Sequence, residues 1–267
     1  MALTELQPRI AIVKYPGTNC EGETAYGITL AGGIPDIVLN YDLERGDVQL
    51  PDYQGVIFAG GFSYGDDLGS GRVAALKLDS KYGNQVERFK EKGGISLGIC
   101  NGNQIMAQSE QFFTDEAGRE LTLDRNDRAH FNSDRVKLLY EPNNRCVWLK
   151  DLQEYGPVEF QVAHGEGKYV FVKPEKLAEL EAEGRVLFRY AGKDGKPTLA
   201  YPLNPNGSVN GIAGVVDRTG HHAALMPHPE RSIKREQYAN SRRLPQDFIP
   251  EGLTLLKHYV GHARQSA

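Results

Sequence analysis

Cysteine is scarce in this 267-residue sequence, and the few cysteines present are not arranged for structural bonding. Cys20, Cys100 and Cys146 stand far apart, and no C-x-x-C spacing occurs. Disulfide scaffolds need an even set of cysteines, and zinc sites usually pair cysteines a few residues apart. The sequence therefore argues against a disulfide framework and against a zinc site, and it predicts a protein of a reducing compartment.

An excess of positive charge and a long apolar run are also missing. The formal net charge is −4, so no basic surface for nucleic acid is expected. No apolar stretch approaches the ~20 residues that cross a bilayer. Residues 1–8 lack the charged start and the apolar stretch of a signal peptide. We therefore expect a soluble, cytoplasmic protein that binds neither nucleic acid nor membrane.

Motifs for nucleotides and metals are absent as well. The sequence has no P-loop, no H-E-x-x-H and no G-x-G-x-x-G after a predicted strand. We expect no metal and no organic cofactor on this chain. Any ATP-dependent step would then take place on another polypeptide.

The first half of the sequence alternates short apolar segments with helical segments. Short apolar runs fit buried strands, and longer periodic segments fit helices. Alternation at this spacing is typical of a parallel sheet with helices on both faces. The predicted strands are 9–15, 36–41, 54–59 and the run that ends before Cys100; the predicted helices are 21–31, with Thr18 or Asn19 as N-cap, 73–92 and 104–109.

The second half is less regular, and we find no linker that would separate it from the first. Its predicted strands are 135–141, 158–163, 185–191, 212–216 and 223–226, and its predicted helices are 175–183 and 253–263. A chain of this length buries a large core as one domain. We therefore predict one α/β domain over residues 1–267, with a C-terminal extension at about 234–267.

The segment around Cys100 has a pattern typical of a nucleophile. Gly98, Cys100 and Gly102 form G-x-C-x-G between a predicted strand and a predicted helix. This is the thiol counterpart of the G-x-S-x-G elbow, in which the nucleophile lies on a sharp strand-to-helix turn. The N-terminus of the helix would stabilise a thiolate there. The alternative is an inert buried cysteine beside two incidental glycines.

A histidine and a carboxylate follow the predicted strand 223–226. His228 and Glu230 are two residues apart in a segment that contains two prolines, so both side chains would point the same way. His228 could then accept the proton of Cys100 while Glu230 fixes the tautomer of the imidazole. The alternative is a solvated loop histidine that happens to neighbour an acid.

Five ordered motifs resemble the class I, or triad, glutamine amidotransferases. They are residues 16–20 (PGTNC), 60–66 (GGFSYGD), 98–104 (GICNGNQ), 163–167 (AHGEG) and 226–231 (MPHPER). The resemblance extends from about residue 10 to residue 232. It implies a single-domain, flavodoxin-like α/β fold with a mostly parallel sheet and helices on both faces.

The resemblance also implies the roles of the reacting groups. Cys100 would attack the side-chain amide of L-glutamine and form a γ-glutamyl thioester. His228 would act as base and then as acid, and Glu230 would orient it. The backbone N–H groups of Gly61 and Asn101 would form the oxyanion hole, which agrees with an N–H at the start of the elbow helix.

Other positions would bind substrate or pack the core. By the same resemblance, Gln104 would contact the substrate, and the backbone around Ala163 and His164 would hold its amino-acid end. His164 ranks below His228 as a base. We expect packing roles for Cys20, which belongs to the first motif, and for Cys146.

Among the triad amidotransferases, the motifs are most similar to glutaminase subunits of a purine-biosynthesis synthetase. Such a subunit hydrolyses L-glutamine to glutamate and ammonia. The ammonia passes to an ATP-dependent synthetase (large) subunit, which carries ATP and Mg²⁺, and a small bridging subunit completes the complex.

Two alternatives remain open at this point. One is a free-standing cysteine hydrolase of the same fold, and the other is a catalytically silent interaction subunit. Gln104 and the similarity to the purine-pathway motifs count against the hydrolase. The intact set of Cys100, His228 and Glu230 counts against the silent subunit.

Overall fold

The computed structural model describes residues 7–149 and 156–265. Residues 1–6, 150–155 and 266–267 lie outside the described residues, and the prediction about a signal peptide falls mostly on the first of these segments. The strands are β1 (Arg9–Lys14), β2 (Ile34–Leu39), β3 (Gly55–Phe58), β4 (Ile95–Ile99), β5 (Thr114–Asp115), β6 (Gly118–Arg119), β7 (Leu121–Asp124), β8 (Asn132–Tyr140), β9 (Val158–His164), β10 (Lys168–Phe171), β11 (Val186–Tyr190), β12 (Ile212–Val216) and β13 (His222–Leu225). The α-helices are α1 (Glu21–Leu30), α2 (Asn40–Arg45), α3 (Arg72–Lys77), α4 (Gly83–Glu91), α5 (Asn101–Gln108), α6 (Pro174–Ala182) and α7 (Glu251–Gln265).

The main sheet has a parallel half and an antiparallel half. Its order within the described ranges is β2-β1-β3-β4-β13-β12-β11-β8-β9. The first five strands of this order run parallel to their neighbours, and the rest pair antiparallel. Strands β3 and β4 are buried along their whole length, as expected where helices cover both faces. The predicted α/β fold is confirmed, and the antiparallel half extends it.

Helices pack in two groups against this sheet. Helix α1 packs on α7, and α3 packs on α5. Tyr259 of α7 is buried, and its hydroxyl lies 3.1 Å from the carbonyl O of Val56 and 3.0 Å from that of Ile95. These contacts fix α7 against the middle of the sheet. No helix in the described ranges is long and apolar enough to cross a membrane.

Three predicted boundaries near strand ends are wrong. The helix after Cys100 begins at Asn101 rather than at residue 104. Asn40 and Tyr41, predicted as strand, begin α2. The N-cap of α1 is Cys20, which makes no side-chain capping bond, rather than Thr18 or Asn19. In the first two cases local propensity favoured a loop or a strand, and in the third it favoured a residue with a capping side chain; packing of the tertiary fold decided otherwise.

Other predicted elements are interrupted in the structure, and some observed strands had not been predicted. The predicted helix 73–92 consists of α3 and α4 joined by a π-helical turn at Leu78–Tyr82. Strands β7 and β10 were not predicted, and they pair antiparallel in a small separate sheet. Residues of the predicted C-terminal extension form short 3₁₀ turns at Arg235–Gln237 and Ser241–Arg243 before α7. The side chains of Arg242 and Arg243 in this segment are exposed.

Candidate active site

The carboxyl ends of four parallel strands meet at one edge of the sheet. Strand β4 ends directly before Cys100, and His228 follows β13 by three residues. Gly60 and Gly61 follow β3, and Cys20 follows β1. Ligands bind at this edge in open α/β sheets. The structure therefore brings the predicted motifs together in one place.

The backbone at Cys100 is strained in the way an elbow requires. Cys100 has φ 51° and ψ −105°, in a region that L-residues rarely occupy. Its side chain is 4% exposed, and α5 begins at the next residue. A nucleophile on a strand-to-helix turn of this kind faces the helix N-terminus, which favours an anion.

The two glycines of the pattern allow the turn to close. A Cβ on Gly98 would lie 2.6 Å from the Met106 sulfur, and a Cβ on Gly102 would lie 1.8 Å from the Phe58 carbonyl O. No side chain fits at either distance. The elbow therefore depends on glycine at both positions because the backbone of α5 lies directly on β3 and β4.

We expect Gly102→Ala to destabilise the protein by about 3 kcal/mol or more, the upper range of overpacking costs. The added methyl meets a backbone carbonyl of a central strand, which cannot move alone. Gly261→Ala in α7 is the matched control, because its Cβ meets nothing within 4 Å. Gly261→Ala should raise the free energy of unfolding by about 0.5–1 kcal/mol. Urea unfolding of both variants tests this, and equal stabilities would contradict the close contact at Gly102.

His228 and Glu230 form a buried pair beside the elbow. The Nδ1 of His228 lies 2.5 Å from the Oε1 of Glu230, and both side chains are fully buried. The backbone N–H of His228 donates to the carbonyl O of Gln161 at 2.8 Å, which ties the segment to β9. A carboxylate on Nδ1 fixes the tautomer that leaves Nε2 available for the nucleophile.

The surroundings favour the charged form of this histidine. Burial lowers the pKa of His228, but the nearby Glu230 and Cys100 raise it by more, to well above 6.5. The Cys100 Sγ lies 3.5 Å from the carbonyl O of Ala163, and within the described residues His228 Nε2 has no aligned hydrogen bond. Hydrogen bonds between nucleophile and base often tighten only when substrate binds.

His164 lies near the pair but in a different environment. It is buried, and burial together with the neighbouring His228 lowers the pKa of His164 to about 3. Its Nδ1 lies 3.2 Å from the Oδ1 of Asn126, whose Nδ2 donates to the His164 carbonyl O at 2.9 Å. A histidine that stays uncharged at neutral pH and is held by an amide suits binding or structure. This environment agrees with its rank below His228.

The glycine loop meets the elbow at Gly60, where a Cβ would lie 3.5 Å from the Cβ of Cys100. The next residue, Gly61, has φ +151°, and a Cβ there would lie 2.7 Å from the backbone N of Asn19 and 2.8 Å from the carbonyl O of Gly17. The loop therefore packs directly on the turn after β1. Only glycine tolerates this approach, since any side chain at Gly61 would collide with the backbone of that turn.

The side chain of Asn101 has a role that the sequence analysis missed. Its Oδ1 accepts from the backbone N–H of Ser63 at 3.0 Å, and its Nδ2 donates to Asp66 Oδ1 at 3.3 Å. The same Nδ2 donates to the Oε1 of Gln104 at 2.9 Å. Asn101 thus joins the nucleophile elbow to the glycine loop. No sequence pattern separates this role from that of an ordinary helix-start residue.

Gln104 is held by protein groups on both ends of its amide. Its Nε2 donates to the carbonyl O of Glu166 at 2.5 Å, and its Oε1 accepts from Asn101. The carboxylate of Glu166 accepts from the backbone N–H of Ser70 at 3.1 Å. Gln104 therefore lies between the elbow, the glycine loop and the 163–167 motif.

Cys20 lies closer to the reacting groups than the predicted packing role required. One donor atom each from Cys20, His228 and Glu230 lie within 4.8 Å of one another. These are ligand types for a soft divalent metal. The Arg231 Nη2, however, donates to the Cys20 Sγ at 3.3 Å, and Glu230 is bonded to His228. Each of the three side chains thus already bonds a protein group, although His228 Nε2 and Glu230 Oε2 have no hydrogen-bond partner within the described residues. We assign no metal to the cluster.

A second acidic cluster consists of Asp115, Glu120 and Glu179. Arg218 pairs with all three carboxylates, and Lys176 pairs with Asp115 and Glu179. Cations of the protein already neutralise these groups. The cluster is a structural ion-pair network.

Comparisons with known proteins agree with this site. A family model described as the CobB/CobQ-like glutamine amidotransferase domain matches residues 7–255. The chain is 37% identical to phosphoribosylformylglycinamidine synthase subunit PurQ of Dehalococcoides mccartyi over 95% of this chain and 97% of that protein. It is 36% identical to phosphoribosylformylglycinamidine synthase of Homo sapiens over 87% of this chain and 18% of the human protein. Among solved structures, PurLQS from Thermotoga maritima matches with TM-score 0.68 and 29% identity, over 88% of this chain and 94% of that chain.

Fold and site together define a class I glutamine amidotransferase: a cysteine elbow after a central parallel strand, with a histidine–glutamate pair beside it. Within that class, the chain belongs to the PurQ family of phosphoribosylformylglycinamidine synthase subunits. The resemblance drawn from the five motifs is thereby confirmed.

Proposed function

We propose that this chain is the glutaminase subunit of a phosphoribosylformylglycinamidine synthase. It hydrolyses L-glutamine to glutamate and ammonia. An ATP-dependent synthetase subunit uses the ammonia to convert formylglycinamide ribonucleotide to formylglycinamidine ribonucleotide in purine biosynthesis. The observation that carries the proposal is the strained Cys100 elbow beside the buried His228–Glu230 pair.

The first half of the reaction forms the thioester. The Cys100 thiolate attacks the side-chain amide carbon of glutamine, and the C=O electrons move to the oxygen. His228, as imidazolium, gives its proton to the leaving nitrogen, so that ammonia departs when the C–N bond breaks. Glu230 holds the ring in one tautomer and stabilises its charged form throughout.

The second half returns the enzyme to its starting state. Neutral His228 takes a proton from water, which attacks the thioester carbon. The C–S bond then breaks, glutamate leaves, and Cys100 is again a thiolate beside an imidazolium. Backbone N–H groups of Gly61 and Asn101 stabilise the oxyanion of both tetrahedral intermediates. This role is supported by the position of Asn101 as the first residue of α5 and by that of Gly61 directly after Gly60, which borders Cys100.

The remaining predicted residues surround the substrate. The carbonyl of Ala163 lies against the Cys100 sulfur, so the 163–167 motif forms the wall opposite the elbow. The backbone at Ala163 and His164 holds the amino-acid end of glutamine. Gln104 contacts the substrate. Its hydrogen bond to the carbonyl O of Glu166 fixes the position of the 163–167 motif relative to the elbow.

The proposed partner is the synthetase (large) subunit, with a small bridging subunit in the complex. One solved relative belongs to PurLQS of Thermotoga maritima, which supports such an assembly. ATP and Mg²⁺ bind the synthetase, and this chain carries no cofactor of its own. The pathway and the absence of disulfides among the cysteines of the described residues favour a cytoplasmic location.

The test is to purify the chain with its synthetase and bridging subunits and to assay product formation. With glutamine, ATP and formylglycinamide ribonucleotide, the complex should form the amidine and glutamate in equal amounts. A free-standing hydrolase would release glutamate without amidine. A silent subunit would support synthesis from ammonium salts only.

We expect the isolated chain to be a weak glutaminase that the partner activates by about 10²-fold, the effect of one oxyanion donor. The glycine loop from Gly60 to Gly71 is the proposed gate. Tyr64 and Asp66 both have positive φ in it, which is a strained conformation for residues other than glycine. A partner contact that turns the Gly61 peptide would complete the oxyanion hole. The measurement is glutaminase kcat/KM for the chain alone and for the complex with ATP and ribonucleotide.

A glycine outside the loop provides the control for this gate. Gly22→Ala in α1 adds a Cβ that meets nothing within 4 Å, so activation should persist. Gly61→Ala should remove the activity of the complex with glutamine. A lone chain as active as the full complex would show that no gate exists.

A further inference from the structure

Cys20 lies on the turn between β1 and α1, at the edge where the active site forms. It is the N-cap residue of α1 and is 1% exposed. Its backbone N–H donates to the carbonyl O of Gly60 at 3.1 Å, directly before Gly61. The position of Cys20 is therefore fixed relative to both the helix and the glycine loop.

The sulfur of Cys20 is oriented by two neighbours. The Nη2 of Arg231 donates to Sγ at 3.3 Å, and the thiol donates to the Oδ1 of Asn19 at 3.3 Å. Arg231 in turn lies 3.9 Å from the Glu23 carboxylate on α1. These contacts hold the sulfur within 4.8 Å of a ring nitrogen of His228.

Gly60 leaves the space in which these groups meet. A Cβ at Gly60 would lie 2.9 Å from the Cε1 of His228, 3.2 Å from the Sγ of Cys20 and 3.5 Å from the Cβ of Cys100. The imidazole therefore has Cys100 and Cys20 near it, and Glu230 is bonded to its Nδ1. A residue that only filled space would not need two polar groups to orient its sulfur.

We propose that Cys20 is a positioning residue for His228, whose charged imidazole it orients and stabilises from the α1 side of the site. The sulfur presents its lone pairs to the imidazolium that forms when Cys100 is a thiolate, as an electrostatic contact within 4.8 Å of a ring nitrogen. Glu230 accepts the hydrogen bond of Nδ1, so Glu230 and Cys20 contact the imidazole at different places on the ring. The inference rests on the proposed function, because it assigns a role within that triad.

Other charged and titratable groups around the ring do not replace this contact. Glu230 and Cys100 raise the pKa of His228 against the effect of burial, and Cys20 adds to them. His164 on β9 is uncharged at neutral pH because burial and His228 lower its pKa to about 3. Arg231 is a cation directed at Cys20 and paired with Glu23.

The sign of the expected pH effect follows from this arrangement. Loss of an acceptor makes the imidazolium less stable and lowers the pKa of His228. The thiolate–imidazolium pair is then the predominant protonation state only up to a lower pH. The alkaline limb of glutaminase kcat/KM should therefore move down by about one pH unit, the change for a tenfold shift in the protonation equilibrium.

The experiment uses the reconstituted complex with Cys20→Ala and Cys20→Ser. Cys20→Ala should lose about tenfold in kcat with little change in KM, since positioning of a general acid contributes to the chemical step. Cys20→Ser keeps an acceptor and should remain within about threefold of wild type, with the alkaline limb restored. Cys146→Ala is the control, since Cys146 is buried like Cys20 but is not part of the cluster of Cys20, His228 and Glu230.

A second readout keeps the proposal falsifiable if Cys20→Ala does not fold. Cys20→Val fills the space without an acceptor and should show the same shift of the alkaline limb. The rate at which a glutamine-mimicking chloroketone labels Cys100 should follow the same pH dependence in every variant. The positioning role of Cys20 would be overturned if the alkaline limb of the kcat/KM profile did not shift in Cys20→Ala and Cys20→Val. If only one of these variants folds, the absence of a shift in that variant is sufficient. Absence of Cys100 labelling in the wild-type complex would instead overturn the proposed function.

Discussion

Cys100→Ser is expected to abolish glutamine-dependent synthesis by the complex while ammonia-dependent synthesis continues. A serine hydroxyl at this position has a far higher pKa than a thiol and does not form the resting anion. The substitution removes no volume that the elbow needs. The two assays on one preparation separate loss of the nucleophile from loss of the complex.

Selective labelling provides the control for this prediction. A glutamine-mimicking electrophile should label Cys100 and leave Cys20 and Cys146 unmodified, as peptide mass spectrometry would show. All three cysteines are buried and none forms a disulfide within the described residues, so exposure does not decide the outcome. Cys146→Ala should be labelled and active like wild type. Labelling of Cys20 in preference to Cys100 would contradict the assignment of the nucleophile.

Glu230→Gln is the second change with a large expected effect. In a serine-protease triad, replacing the orienting carboxylate by its amide costs about 10⁴-fold in turnover, chiefly because the histidine takes the wrong tautomer. Glu230 is fully buried and bonded to Nδ1 of His228, so a neutral amide there would also stop stabilising the imidazolium. We expect a large loss of kcat that is smaller than the loss in His228→Ala. Steady-state glutaminase assays of the complex measure both.

Folding must be separated from catalysis in this variant. The glutamine side chain has nearly the shape of glutamate, so thermal unfolding of Glu230→Gln should stay close to wild type. Ammonia-dependent synthesis reports independently that the complex has formed. Glutaminase activity near the wild-type level would show that a group other than Glu230 orients the imidazole.

Much of the site was predictable because its chemistry is local in the sequence. Gly98, Cys100 and Gly102 are contiguous, and the strand-to-helix change around them gives the elbow directly. His228 and Glu230 are two residues apart beside two prolines. What could not be derived is which distant groups meet them: the approach of Asn101 to Ser63 depends on how the glycine loop folds over α5.

The sequence by itself determined the α/β class, the parallel half of the sheet and the candidate residues Cys100, His228 and Glu230, because apolar periodicity and short motifs act over a few residues. Only the tertiary structure decided the antiparallel half, since the order of β12, β11, β8 and β9 depends on long-range pairing. It also decided the surroundings of Cys20. Arg231 is 211 positions away along the chain and donates to its sulfur only because the turns after β1 and β13 end at the same edge.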